Sequence, residues 1–464
     1  MKLLKYISFL LMGLLLMPSC DKSLEEINQD PSRLSSVEMR LMLPEILAQS
    51  AYNKGATAAR AAGLITQQFI GIDAQQIQIY NYVIGEDAFN NYWRTGLYAG
   101  VLRSCQVLNE KADEEGSTFY SGVAKIIMAN EYALAASMFG DIPFSQALLG
   151  TENTKPEYDT QESVYTGVQD MLTEAISDLG QGTGYVGGDL IYNGDAALWI
   201  GTANALKARY AMHLTKRDAA KASASALTAI ANAFSSTDDQ PNFAFGSAQI
   251  DNWSLAKFGI ERPATLGINE NFANLMTAKN DTFRQDAYME LNGSEWTFFN
   301  AANPSLVWGA SDAVIPLISY SEVKFLEAEA LARTNAPDAD VQAALEAAIK
   351  ASMDMAKVVD PNYIAEYSDV TGLSSDDKIQ RIIEEAYVAY YGHNLLENWT
   401  NYRRTGYPAL TPPAIGVNGF NPSGVVPRRF LYVGSETQTN RDNVDAARAR
   451  QNGGLLDDDT WAFE

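Results

Sequence analysis

Two stretches of this chain place flat aromatic rings beside amides and charged groups, away from any helical period. One runs through Gln75, Gln76, Gln78, Tyr80, Asn81 and Tyr82 to Asn90, Asn91, Tyr92 and Trp93. The other holds Trp253, Trp296 and Trp308 near Asn252, Arg262, Asn292, Asn300 and Asn303. An aromatic face packs on apolar C–H surface while neighbouring amides, carboxylates or guanidinium groups add directional hydrogen bonds. That is the chemistry of gripping a polyhydroxylated molecule such as a sugar. Tyr80, Tyr82, Trp93, Trp253, Trp296 and Trp308 are therefore the candidate ligand platforms.

Other chemistries lack material. Two histidines, His213 and His393, cannot build a multi-His metal site. Two cysteines, Cys20 and Cys105, exclude a disulfide scaffold and any Cys-rich zinc or iron–sulfur site. Cys105 shares a helix face with Leu97, Val101 and Leu108, which predicts a buried, unreactive thiol. No Gly-x-Ser-x-Gly elbow, HExxH helix or phosphate-binding glycine loop occurs. A glycoside hydrolase needs two carboxylates about 5 Å or about 6.5–9.5 Å apart across a cleft. Pairs such as Asp286/Glu290 and Glu384/Glu385 arise by chance among 57 acidic residues, and solvated helix faces explain them. The run Asp457-Asp458-Asp459 could offer oxygens to Ca²⁺ but lacks the spaced, alternating ligands of a dedicated loop, so no cofactor is expected.

The elements that position the aromatic clusters are mostly helical. The 464 residues carry 34 Lys+Arg against 57 Asp+Glu, a net charge of −23 that argues against a nucleic-acid partner. A hydrophobic fraction of 47% is ample for a buried core. Residues 121–139 put Val123, Ile127, Asn130, Leu134 and Met138 on one stripe, with Gly140 as the stop. Residues 160–179 put Val164, Val168, Met171, Leu172, Ala175 and Leu179 on another, and Asp159 with Glu162 predicts its capping box. Ala-rich helices are expected over 196–214 and 217–234.

The period returns at 320–391, behind a Ser319/Glu322 capping box. The pattern predicts a mostly α fold of tetratricopeptide-like helical pairs, an α-α superhelix. Helical blocks span about 36–234 and 319–404; an irregular, aromatic-rich insert spans about 235–318; and a Pro-rich C-terminal wrap spans 405–464.

Lys2 and Lys5 precede an apolar run from Ile7 to Met17, followed by Pro18-Ser19-Cys20. The run is too short for a bilayer span, which takes about 20 residues, and reads as the core of a secretory signal. The small residue before Cys20 resembles a bacterial lipoprotein cleavage site. Residues 1–19 are then a signal peptide, Cys20 is the lipidated first residue of a mature domain over 20–464, and the membrane is reached through the anchor alone. The polar stretch Asp21–Pro31 serves as a tether.

Several blocks in order carry a resemblance: Asn28-Gln-Asp-Pro31, Asn91-Tyr-Trp93, Phe139-Gly-Asp-Ile-Pro-Phe144, and Pro156 to Glu162. They continue through Trp199 to Leu214, Tyr320 to Glu329, Glu397-Asn-Trp399 with Tyr402 to Pro408, Pro427 to Tyr432, and Asp459-Thr-Trp461. Together they resemble the SusD/RagB family of nutrient-binding outer-membrane lipoproteins. Trp199, Trp399 and Trp461 fall inside these blocks and are read as structural.

The resemblance implies four helical pairs with a variable ligand-facing part. It also implies a cell-surface, outer-membrane location, no enzymatic activity, and a SusC-like TonB-dependent transporter that the protein covers as a lid. The implied ligand is an oligosaccharide or, in some relatives, a peptide. A lipid-anchored glycoside hydrolase and a plain protein-binding scaffold are the rival readings.

Overall fold

The structure, a computed structural model, describes residues 37–299, 303 and 306–464. The expected signal peptide, Cys20 and the tether lie outside the described residues. Met39–Glu464 forms one contact unit, to which everything below refers.

The chain opens with α1 (Met39–Asn53), α2 (Thr57–Ile65), the short strand β1 (Phe69–Gly71) and α3 (Ala74–Tyr80). A π-helical stretch, Tyr92–Leu102, runs directly into α4 (Arg103–Glu115), followed by α5 (Thr118–Phe139), α6 (Gln161–Gln181), α7 (Ala196–Met212) and α8 (Ala219–Ile230). The intervening region holds β2 (Asn242–Ala244), α9 (Ser254–Glu261), β3 (Leu266–Ile268), α10 (Glu270–Ala278), α11 (Thr282–Tyr288), the β4 (Glu290–Asn292) and β5 (Glu295–Thr297) hairpin, and β6 (Val314–Pro316). Helices resume with α12 (Tyr320–Arg333), α13 (Asp338–Met355), α14 (Pro361–Ser368), α15 (Ser375–Ala389) and α16 (Leu395–Thr405). The wrap carries α17 (Gly434–Thr439) and α18 (Arg441–Arg450).

Helix α4 packs on α5, α5 on α6, α6 on α7 and α7 on α8. Helix α8 then packs on α12 although the whole insert separates them in sequence, and α12 contacts both α13 and α15. The superhelix therefore runs through the insertion without a break. Alanine makes this continuity possible: Ala208, Ala226 and Ala330 are fully buried at the α7–α8–α12 seam, where larger side chains would hold the axes apart. The insert leaves and returns through one stem, because β2 pairs antiparallel with β6 in the register Asn242↔Pro316 and Ala244↔Val314.

Local signals act as their chemistry dictates. Helix α5 ends at Gly140 (φ +81°), and α4, α6 and α16 end at left-handed Gly116, Gly182 and Gly406. The start of α6 corrects the reading of Asp159. Thr160 caps the helix by accepting from Ser163 N, while the Asp159 carboxylate instead accepts from Phe144 N (3.0 Å) and Ser145 N (2.8 Å). Ser319 does cap α12, accepting from Glu322 N at 3.1 Å, but the Glu322 carboxylate turns inward.

There Glu322 meets Arg209 of α7, at 2.5 Å to Nε and 2.7 Å to Nη2. The same guanidinium donates to Asn130 Oδ1 of α5, and Asn394 Nδ2 donates to Glu322. One turn on, just past the end of α7, His213 sits between Tyr165 Oη (2.8 Å) and Glu397 Oε2 (2.9 Å). Arg404 and Arg333 both hold Glu329. Burying a charge is costly unless it is paired or hydrogen-bonded, and here Arg209–Glu322, His213–Glu397 and Arg404–Glu329 tie one helical segment to another. Cys105 is fully buried on its Leu97–Val101–Leu108 face, as its spacing predicts.

Candidate ligand-binding cleft

Strand β1 pairs antiparallel with β3, matching Phe69 to Ile268 and Gly71 to Leu266. Gly71 is required there, because a Cβ would lie 2.0 Å from the Gln76 carbonyl oxygen. The β4–β5 hairpin lies beside β3 and turns at Gly293, whose φ of +65° suits the first central position of a two-residue hairpin turn. Leu291 faces Trp296 across this hairpin, and Asn292 faces Glu295. Thr297 Oγ1 donates to Phe299 O at 2.9 Å and stiffens the exit from β5.

Between these pieces opens a cleft of about 370 Å³. Its lining brings Trp296 together with Arg262, Asn292 and Glu295, over apolar flanks from Ile72 and Pro263. Trp296 is half-buried, so its ring is braced by the core while still meeting solvent. The cleft thus offers one indole, one guanidinium, one carboxylate and one primary amide. A second, wider cleft of about 630 Å³ lies along α3, between Gln75, Gln78 and Ile79 on one side and Val83 to Ala88 with Phe420 on the other. A third, of about 330 Å³, has Gln67, Asn271 and Pro408 to Thr411 in its walls.

The structure separates the six expected platforms. Trp296 lines the first cleft, and Tyr80 is half-buried on α3, its hydroxyl 3.4 Å from Asn269 Nδ2. The other four are corrected to core residues. Tyr82 is fully buried and donates to Ile65 O at 3.2 Å. Trp93 packs edge-on to Phe139 at 5.0 Å. Trp253 is fully buried beside Phe245, in space left open by Gly55. Trp308 stacks on His393 at 4.5 Å, over Gly392. An irregular segment has no repeating apolar stripe, so it holds to its scaffold through a few very large anchors, and Trp253 and Trp308 are such anchors.

Of the polar companions, Arg262 and Asn292 reach the cleft. Asn252 closes its own turn by donating to Gly246 O and Ala248 O, Asn303 donates to Glu290, and Asn300 lies outside the described residues. Ile72, Glu295, Phe299 and Phe420 escaped sequence reasoning. The Asn292-Gly293 turn ahead of Trp296 was the available hairpin signal.

Neither carboxylate pair forms an acid–base site. Glu385 is buried under Lys279 (2.6 Å), Arg284 (3.4 Å) and Tyr363 Oη (3.0 Å), whereas Glu384 and Asp286 lie on helix surfaces. Among the described residues, no cluster of three or more His, Cys, Asp or Glu could hold a metal. The Asp457–Asp459 carboxylates diverge: Asp457 accepts from Ser423 N, Asp458 from Leu455 N, and Asp459 faces Arg428. Among the described residues no helix is long and apolar enough to cross a membrane.

Fold and clefts together define a helical-pair scaffold with open clefts lined by aromatic, amide and charged side chains. The SusD-like family model, described as starch-binding associating with the outer membrane, matches residues 31–433, and the chain belongs to that family. Among solved structures it is similar to a SusD/RagB family protein from Bacteroides thetaiotaomicron (25% identity, TM-score 0.73, covering 92% of this chain and 99% of that one). A SusD homologue from Bacteroides fragilis and a chitin-binding protein each match at 22% identity and TM-score 0.75, covering 92% of this chain and 100% of theirs. No curated protein matches the chain.

Proposed function

We propose that the protein is a lipoprotein anchored at Cys20 on the cell surface. It captures an oligosaccharide and passes it to a SusC-like TonB-dependent transporter, over which it closes as a lid. The observation that carries the reading is the open cleft in which Trp296 is flanked by Arg262, Asn292 and Glu295. A pyranose ring laid on the indole buries its C–H face, and the surrounding amide, carboxylate and guanidinium satisfy its hydroxyls. Hydrolysis would need a second positioned carboxylate, so the role is capture without bond cleavage. Closure is a rigid-body swing on the tether, between states a few kcal/mol apart that ligand biases toward the channel.

Calorimetry of a form lacking residues 1–23, against plant, microbial and host oligosaccharides and mixed peptides, tests the reading. Saturable heat with one glycan class is expected, with no product by chromatography. Trp296→Ala should lose at least tenfold in affinity, about 1.4 kcal/mol. Heat with peptides alone would move the cargo to peptide, and glycan cleavage would replace the binder with a hydrolase.

A further inference from the structure

The walls of the Trp296 cleft carry one cation and one anion, Arg262 and Glu295. Arg262 closes α9 and is exposed, and among the described residues its guanidinium meets no carboxylate and donates no hydrogen bond. Its sequence neighbour Glu261 forms no ion pair with it, and neither does Glu295. Elsewhere the chain engages its guanidiniums closely: Arg209, Arg284, Arg404 and Arg448 each face a carboxylate oxygen at 2.5 or 2.6 Å.

A second guanidinium without an acid stands over the same helix. Arg60 of α2 lies 4.0 Å above the Phe258 ring and donates from Nη1 to Gly55 O at 2.8 Å. Its Nε is buried with no hydrogen-bond partner. Phe258 precedes Arg262 by four residues and so shares a face of α9 with it. Two cations thus address one helix face beside the cleft, with no carboxylate paired to either among the described residues, in a molecule of net charge −23.

We infer that the cleft takes an acidic oligosaccharide, with a uronate carboxylate on Arg262 and the hydroxyls of an adjoining neutral sugar on Glu295. The inference rests on the capture reading above and names the class of glycan. A sugar laid on Trp296 strips water from the neighbouring guanidinium. A neutral hydroxyl can accept its hydrogen bond but leaves the charge uncompensated, whereas a carboxylate supplies both and matches the planar fork with two parallel bonds. Glu295 has only acceptor oxygens, so it calls for hydroxyl donors and repels a second carboxylate. A glycan mixing uronate with neutral units therefore fits better than an unbroken polyuronate. The negative field of the whole molecule repels such a ligand elsewhere, which leaves the α9 cations to fix where and in which orientation it lands. Arg60 adds to that local field through its charge and is not asked to touch the sugar.

The test is calorimetry on the full chain purified in detergent. The probes are oligosaccharides from glucuronoxylan, rhamnogalacturonan and hyaluronan, each before and after reduction of its carboxyl groups to neutral alcohols, alongside neutral glycans. At least one native uronate oligosaccharide should bind, at least tenfold more tightly than its carboxyl-reduced form, and added NaCl should narrow that ratio. Arg262→Gln should bring the ratio close to one at an unchanged melting temperature, with Arg262→Lys in between, whereas Trp296→Ala should weaken the native and reduced forms alike. Binding of neutral glycans alone, or of native and reduced forms equally, would overturn the acidic cargo and leave the capture reading standing. A ratio that survives Arg262→Gln would overturn the carboxylate contact. Silence toward every glycan would fall on the capture reading itself and take this inference with it.

Discussion

Replacing Glu322 by Gln would strip the buried Arg209 guanidinium of both its close carboxylate contacts and leave it the more distant Glu397 carboxylate at 4.0 Å. Breaking such a pair from one side costs about 3–5 kcal/mol, and denaturant unfolding should show a loss of that size. The acid limb of stability has named owners. Burial pushes the Glu329 and Glu397 carboxyls up, but Arg404 acting on the first, and His213 with Arg209 on the second, hold both at about 2, below the ordinary 4.5. Their contribution is present above pH 4.5 and is lost as pH falls toward 2. Burial also drops His393 from 6.5 to about 3, so that residue favours the fold above 6.5 and loses its contribution on the way down to 3. Glu131 opposes it: burial raises its carboxyl to about 7, which penalises the fold as pH rises from 4.5 to 7. Stability should therefore be nearly level between about pH 4.5 and 6.5 and fall steeply below. Glu131→Gln should uncover the His393 slope, so that stability declines from pH 6.5 downward; an unchanged profile in urea titrations at stepped pH would refute the assignment.

At the scale of elements, the α8–α12 seam is the joint to probe. Ala226 and Ala330 are fully buried there, and Ala226→Leu should cost about 1–3 kcal/mol by forcing the helices apart, read as a lower melting temperature. The long helices were legible because each repeats its apolar face over several turns: Val123, Ile127 and Leu134 lie buried where the period puts them. Helices α9 to α11 were not, since two turns each give too little period to count and their anchors are set by neighbours far away in sequence. The same reason hid most of the candidate cleft. Trp253, Trp296 and Trp308 look alike in sequence, and only the folded environment separates two anchors from one cleft wall.

For the molecule as a whole, an excess of 23 negative charges repels itself in the compact state, while the paired charges in the core are shielded from solvent ions. Raising NaCl from near zero to physiological strength should therefore raise the melting temperature; a fall would mean that surface ion pairs dominate. The β2–β6 stem carries a different consequence. Because α8 meets α12 directly, everything between Ala244 and Val314 enters and leaves at one point on an otherwise continuous stack. Doubling the length of such an excursion adds only about 0.6 kcal/mol of closure cost. The segment between the two strands can thus be lengthened, shortened or rewritten with the helical frame unaltered, provided that anchors like Trp253 and Trp308 keep it seated. The stem makes that segment an exchangeable cassette on a fixed frame.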